Sequence, residues 1–200
     1  MAPEERRAAL IAATVPLLRE HGTAVSTRQI ADAAGVAEGT IFGVFPDKAS
    51  LLRAAVISAF DPEPLVAALT GVAGHGDLRA RLREVVKLLR WRLAANEPLI
   101  AATRSVACEP DQSREFLERM KHARRRMLEG IAAVIEPDRA LLRRDPRSAA
   151  LLLLMLVMAS VHSGFSGDRN ALSDLDSDEI VSLLLDGLLV PDAMSTGEPG

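Results

Sequence analysis

The residues able to do chemistry fall into a few short groups. Gly164-Phe165-Ser166-Gly167-Asp168 comes near a nucleophile elbow, but G-x-S-x-G needs a second glycine where Asp168 stands, and no strand pattern precedes it. Asp174-Leu175-Asp176-Ser177-Asp178-Glu179 opens like a calcium loop. Glu179 then replaces the turn glycine and Leu185 the closing glutamate, so these acids read better as a helix cap. His21, His75, His122 and His162 share no i, i+4 spacing with one another or with Cys108, and no Gly-Lys phosphate loop occurs. The run Lys121-His122-Ala123-Arg124-Arg125-Arg126 fans around a helix axis and reads as a solvated surface. No enzyme site, no metal site and no cofactor site is expected.

One remaining group can recognise a polyanion. Ser26 and Thr27 stand at the start of a helix, where hydroxyls and free backbone amides favour a phosphate. Arg28 follows, long enough to fork onto a guanine edge. Eleven or so residues on, Glu38, Gly39 and Thr40 open a second short helix. Gly39 permits close approach, Thr40 suits a phosphate or a thymine methyl, and Glu38 repels phosphate unless it accepts from a cytosine amine. Lys48 adds a cation at a further helix start.

The elements that must position these residues are helices. The 200-residue chain has no Tyr, one Trp and five Phe, and helical periodicity dominates over strand alternation. Leu10, Ile11, Thr14, Leu17 and Leu18 form one face of a first helix closed by His21-Gly22. Ser26 to Gln29 is a capping box for a second, with Ile30, Ala33 and Ala34 inward. A turn at Gly35-Val36 leads into a third helix, Glu38 to about Val44, with Ile41 and Phe45 assigned to the local core. Asp47 caps a fourth helix from Lys48 to about Phe60, and Asp61-Pro62 closes this part. Two helices across a tight glycine turn form a helix-turn-helix, the arrangement that presents its second helix to the major groove.

The stretch from Thr27 to Leu52, Thr-Arg-Gln-Ile-Ala-Asp-Ala-Ala-Gly-Val-Ala-Glu-Gly-Thr-Ile-Phe-Gly-Val-Phe-Pro-Asp-Lys-Ala-Ser-Leu-Leu, resembles the DNA-binding domain of the TetR family of bacterial transcriptional regulators. The resemblance covers about residues 5 to 56. It implies an all-α homodimer: an N-terminal three-helix helix-turn-helix DNA-binding head over 1–56, and a C-terminal helical ligand-binding and dimerisation domain over 57–190. Residues 191–200 read as a flexible tail. The expected function is a ligand-responsive repressor on a palindromic double-stranded DNA operator; the competing reading is a small-molecule-binding or protein-interaction module with a weakened head. Expected DNA-binding residues are Ser26, Thr27, Arg28, Glu38, Gly39, Thr40, Phe42 and Lys48. Phe42 stands where the family usually has Tyr, so a phosphate hydrogen bond is lost. Gly43-Val44 occupies places often aromatic or basic, and Ala37 a place where a capping Ser is common.

Beyond the head, residues 71–76 read as a loop and Asp77 starts a long helix that Asn96-Glu97-Pro98 should end. Helices follow at about 99–107 and 112–135. The segment 147–162 is apolar on every side, and 177–189 is amphipathic; together they are the expected dimer contact. An effector, apolar or amphipathic, is expected among the second-domain helices, with Trp91, Arg104, Cys108, Phe116, Met120, Met155, Met158, His162 and Phe165 as candidate lining.

Charge refines the picture. The chain carries a net charge of −3, with 48% apolar and 26% charged residues, so bulk basicity cannot drive nucleic-acid binding. Within the head, Arg6, Arg7, Arg19, Arg28, Lys48 and Arg53 balance Glu4, Glu5, Glu20, Asp32, Glu38 and Asp47. A modest salt slope is expected, near 0.9 per phosphate neutralised. The longest apolar run, Ala149 to Ala159, is well short of the ~20 residues of a bilayer span, and no signal core opens the chain, so a cytoplasmic location is expected.

Overall fold

The computed structural model describes residues 2–106, 110–161 and 174–188; for 100–106, 110–113, 115, 187 and 188 it describes backbone only. The described residues form helices and no strand: α1 (Pro3–His21), α2 (Thr27–Ala34), α3 (Glu38–Phe42), α4 (Lys48–Ala59), α5 (Glu63–Val72), α6 (Leu78–Val106), α7 (Pro110–Ile135), α8 (Pro146–Val161) and α9 (Ser177–Leu188). They belong to two compact units, Met1–Asp61 with Ala95–Ala123, and Pro62–Ala94 with Arg124–Gly200. The first unit is thus built from two separate stretches of the chain. The end of α6 and the start of α7 return to the first unit, where Leu99 and Phe116 join the core of Leu10, Leu18, Ile30, Ile41, Phe45, Leu51 and Val56.

Local chemistry explains why these helices start and stop. Ser26 Oγ accepts from Gln29 N at 3.1 Å while Gln29 Oε1 accepts from Ser26 N at 2.8 Å, which is the expected capping box. Asp47 Oδ1 accepts from Ser50 N at 2.6 Å at the head of α4. Asp176 and Glu179 make the same reciprocal pair for α9, each bond 2.8 Å, so the acids that mimic a calcium loop are a cap. Gly35, at φ 66 and ψ 33, sits in the left-handed region, and its N–H reaches Asp32 O at 3.2 Å.

Four expectations are corrected. The buried alanine of α2 is Ala31, with Ala33 exposed, because the inward stripe runs through i and i+1 at Ile30 and Ala31. The third helix ends at Phe42, two residues early. Residues 71–76, expected as a loop, are helical at 71 and 72, the end of α5, whose Leu65 and Leu69 are buried four residues apart. Pro98 does not end the long helix; α6 runs through it. A proline there removes one amide donor, and the neighbouring Asn96 is held in place in the first unit. Its Nδ2 donates to Ala59 O at 3.3 Å, and its Oδ1 accepts from Arg19 Nη2 at 3.1 Å.

The second unit is built on Val85, Val86 and Leu89 of α6, Ile131, Val134 and Ile135 of α7, Leu153, Leu154 and Val157 of α8, and Ile180, Val181 and Leu184 of α9. Gly130 allows α7 to approach α5: a Cβ there would lie 3.0 Å from Leu69 Cδ1. Buried Arg81 pairs with Asp138, donates to Val134 O at 3.3 Å and to Gly76 O at 2.6 Å, and so fastens the turn before α6 to the end of α7. Along α6, Arg79 donates to Ser182 Oγ at 2.8 Å, Arg83 pairs with Asp178, and Arg90 donates to Leu175 O at 2.7 Å.

Lys48–Val72 has the length and mean hydropathy, 1.3, of a membrane span. In the fold it is two helices broken at Asp61-Pro62, of 12 and 10 residues, each shorter than the ~20 that hydrocarbon requires.

Candidate nucleic-acid interface

The helix-turn-helix is α2, Gly35-Val36-Ala37 and α3, held over a small core of Val25, Ile30, Ile41 and Phe45. Gly35 makes the reversal tight, and Val36 N closes it on Ala31 O at 3.0 Å. Because Ile41 and Phe45 face inward, Glu38, Gly39 and Phe42 face out; Phe42 is 54% exposed. Nothing lies within 4 Å of a Cβ placed on Gly39, so packing does not demand glycine there. Arg28 is exposed one residue into α2, and Thr40 is half-buried.

Two of the expected contacts are engaged inside the protein. The Thr27 hydroxyl donates to the Glu38 carboxylate, tying the start of α2 to the start of α3. Glu38 is thus held by its neighbour, a pairing that residue spacing alone did not reveal. Lys48 Nζ donates to Thr23 O at 3.0 Å and keeps two further N–H donors. Ala37 provides no side-chain cap for α3. At the edge of this core the Arg7 guanidinium lies 4.4 Å from the centroid of the Phe45 ring, a cation–π contact between α1 and the turn that follows α3.

Asp47, beside Lys48, has its carboxyl held below the ordinary value. The Ser50 amide bond is the main cause, then the Ser50 hydroxyl, with burial opposing and Arg53 assisting.

The candidate effector residues do not share one place. Trp91 is 74% exposed on α6 and Met155 is exposed on α8, so neither lines an interior cavity within the chain. Phe116 and Met120 pack against the core of the first unit, not the second. Met158 packs, half-buried, in the second unit. Arg104 lies on α6 with its side chain outside the described residues; Cys108, His162 and Phe165 lie outside them altogether, as does the expected tail 191–200. The reason is geometric: α6 and α7 each serve both units, so residue type on those helices does not tell which core a side chain enters.

Residues 10–55 match the bacterial regulatory proteins of the tetR family. No curated protein matches the sequence. Among solved structures, a protein assigned to the TetR-family transcriptional regulators of Mesorhizobium loti superposes with a TM-score of 0.74 at 20% identity, over 95% of this chain and 100% of that one. FadR of Bacillus subtilis, solved with stearoyl-CoA, gives 0.61 at 19% identity over 90% and 97%. SmeT, solved with triclosan, gives 0.59 at 22% over 98% of each. Residues 10–55 thus form a domain of the tetR family of bacterial regulatory proteins, and the chain as a whole has the fold of these solved structures.

Proposed function

We propose that this protein is a ligand-responsive repressor that binds a palindromic DNA operator as a homodimer in the cytoplasm. The observation that carries the reading is the exposed face of α3, with Gly39 and Phe42 outward and Arg28 exposed on α2, over a head with a buried core. Arg28 reads a base edge, Thr40 and Ser26 meet phosphates, and the lost hydroxyl at Phe42 leaves an apolar contact to the sugar edge or a thymine methyl.

Dimerisation is supported by apolar side chains left exposed on the last two helices: Leu151, Leu152 and Met155 of α8 and Leu183 of α9. The effector is an apolar or amphipathic small molecule, in keeping with the stearoyl-CoA and triclosan of two structural relatives. Its binding shifts the population toward a head spacing that no longer fits half-sites one helical turn apart. A second reading, a binding module with a weakened head, is favoured by the balanced charge of residues 1–55 and by the acid Glu38 on the recognition helix.

Fluorescence anisotropy separates the two. The full-length protein is titrated onto DNA from upstream of its own gene and onto a scrambled duplex, at two salt concentrations. Selective binding supports the regulator, and Arg28→Ala with an unchanged circular dichroism spectrum should lower selective affinity by roughly tenfold or more, as loss of one bidentate base contact does. Equal binding to both duplexes at both salts favours the second reading.

A further inference from the structure

A groove of about 540 Å³ opens in the first unit between α1, α4 and the early turns of α7. Its walls follow one pattern three times. Arg7 and Ile11 on α1 are one helical turn apart, as are Arg53 and Ile57 on α4, and Phe116 and Arg119 on α7. Each helix thus contributes one guanidinium and one apolar side chain to the same space, and the Ser50 and Ser58 hydroxyls complete the polar part. No carboxylate is among the described lining residues.

Three arginines line one partly enclosed space and raise the local potential there, offset at Arg53 by the nearby Asp47 carboxylate, on a chain whose net charge is −3. The cations are already shaped by neighbours. Arg7 lies against the Phe45 ring, and Arg53 donates to Ser50 Oγ at 3.1 Å, which restricts their rotamers and lowers the entropy lost when a ligand is gripped. The size lies within the range of small-molecule sites.

We propose that this groove binds an organic anion carrying an apolar chain, its charged group held by Arg7, Arg53 and Arg119 and its chain laid on Ile11, Ile57 and Phe116. The apolar share of the wall favours this ligand over a bare nucleic-acid phosphate, which would leave that surface unused. The site lies wholly within the first unit and shares Phe116 with the lining expected for an effector. Its existence does not depend on DNA binding.

The test is calorimetric titration of the full-length protein with dodecyl phosphate, kept below its micelle concentration, and with dodecanol as the uncharged control. Saturable binding of one dodecyl phosphate per chain is expected, weakened about tenfold or more by Arg119→Ala and by Arg7→Ala, and much weaker for dodecanol. Arg125→Ala, exposed on the same helix but outside the groove, should bind as the wild type does. Thermal melts establish that each variant is folded, and Arg119→Gln replaces any that is not. Absence of saturable binding overturns the proposal. So does binding unchanged in both arginine variants, which would place the ligand elsewhere. If the variants lose affinity for non-specific duplex DNA while dodecyl phosphate never binds, the groove is a backbone contact and the proposal fails.

Discussion

At the scale of single residues, the interface is decided by which polar groups are already engaged. Glu38 is expected to repel DNA, yet its charge is tied to the Thr27 hydroxyl, which lowers the cost of placing it near phosphate without removing the charge. Glu38→Gln should therefore raise affinity for any duplex and steepen the salt dependence of binding, measured by anisotropy across a salt series. Unchanged binding would mean that α3 does not face DNA. Asp47 offers a stability test. Its folded carboxyl lies below its ordinary value near 3.8, so its stabilising effect is full above that value and fades as the pH falls through the lower folded one. Asp47→Ala should lose about 1 kcal/mol near neutral pH, the usual worth of a helix cap, and the gap between variant and wild type should start to close in denaturant melts only as the pH falls below about 3.8.

At the scale of elements, capping motifs were legible because they are local. Ser26 with Gln29, Asp47 with Ser50, and Asp176 with Glu179 all sit within one turn, and each is present. Ala37 is the converse case: α3 begins without a side-chain acceptor. Ala37→Ser should stabilise the protein by roughly 0.5–1 kcal/mol, read as a higher midpoint in urea, if the hydroxyl reaches Thr40 N. A lower midpoint would show that the turn cannot accept it. Misreadings arose where tertiary contacts override local signals. Pro98 marks a helix end by its chemistry, but Asn96, bonded to Ala59 and Arg19, keeps the helix in place across it. The short helix α5 was missed because Pro64 and Gly71 bracket it closely, while its anchors Leu65 and Leu69 gain their burial from the second unit's core.

At the scale of the whole molecule, the exposed Leu152 and Met155 of α8 and Leu183 of α9 are unusual for helices that otherwise bury their apolar faces. The proposed homodimer should become a monomer in Leu152→Glu, read by light scattering coupled to size exclusion. DNA affinity should fall with it, because each half-site would then be held without avidity. A variant that remains dimeric would place the contact on another surface.

The sequence by itself determined the helical class, the caps, the helix-turn-helix and the family of its head, because each rests on neighbours within a few residues or on a spacing repeated every turn. It also pointed to Arg28 and Gly39, whose outward placement follows from the inward Ile30 and Ile41. Only the tertiary structure decided that Glu38 is held by Thr27, that Phe116 belongs to the first unit's core, and that three arginines from three helices meet one groove. Those facts depend on contacts between segments far apart in the chain, where residue type states what a side chain can do and packing alone states what it meets.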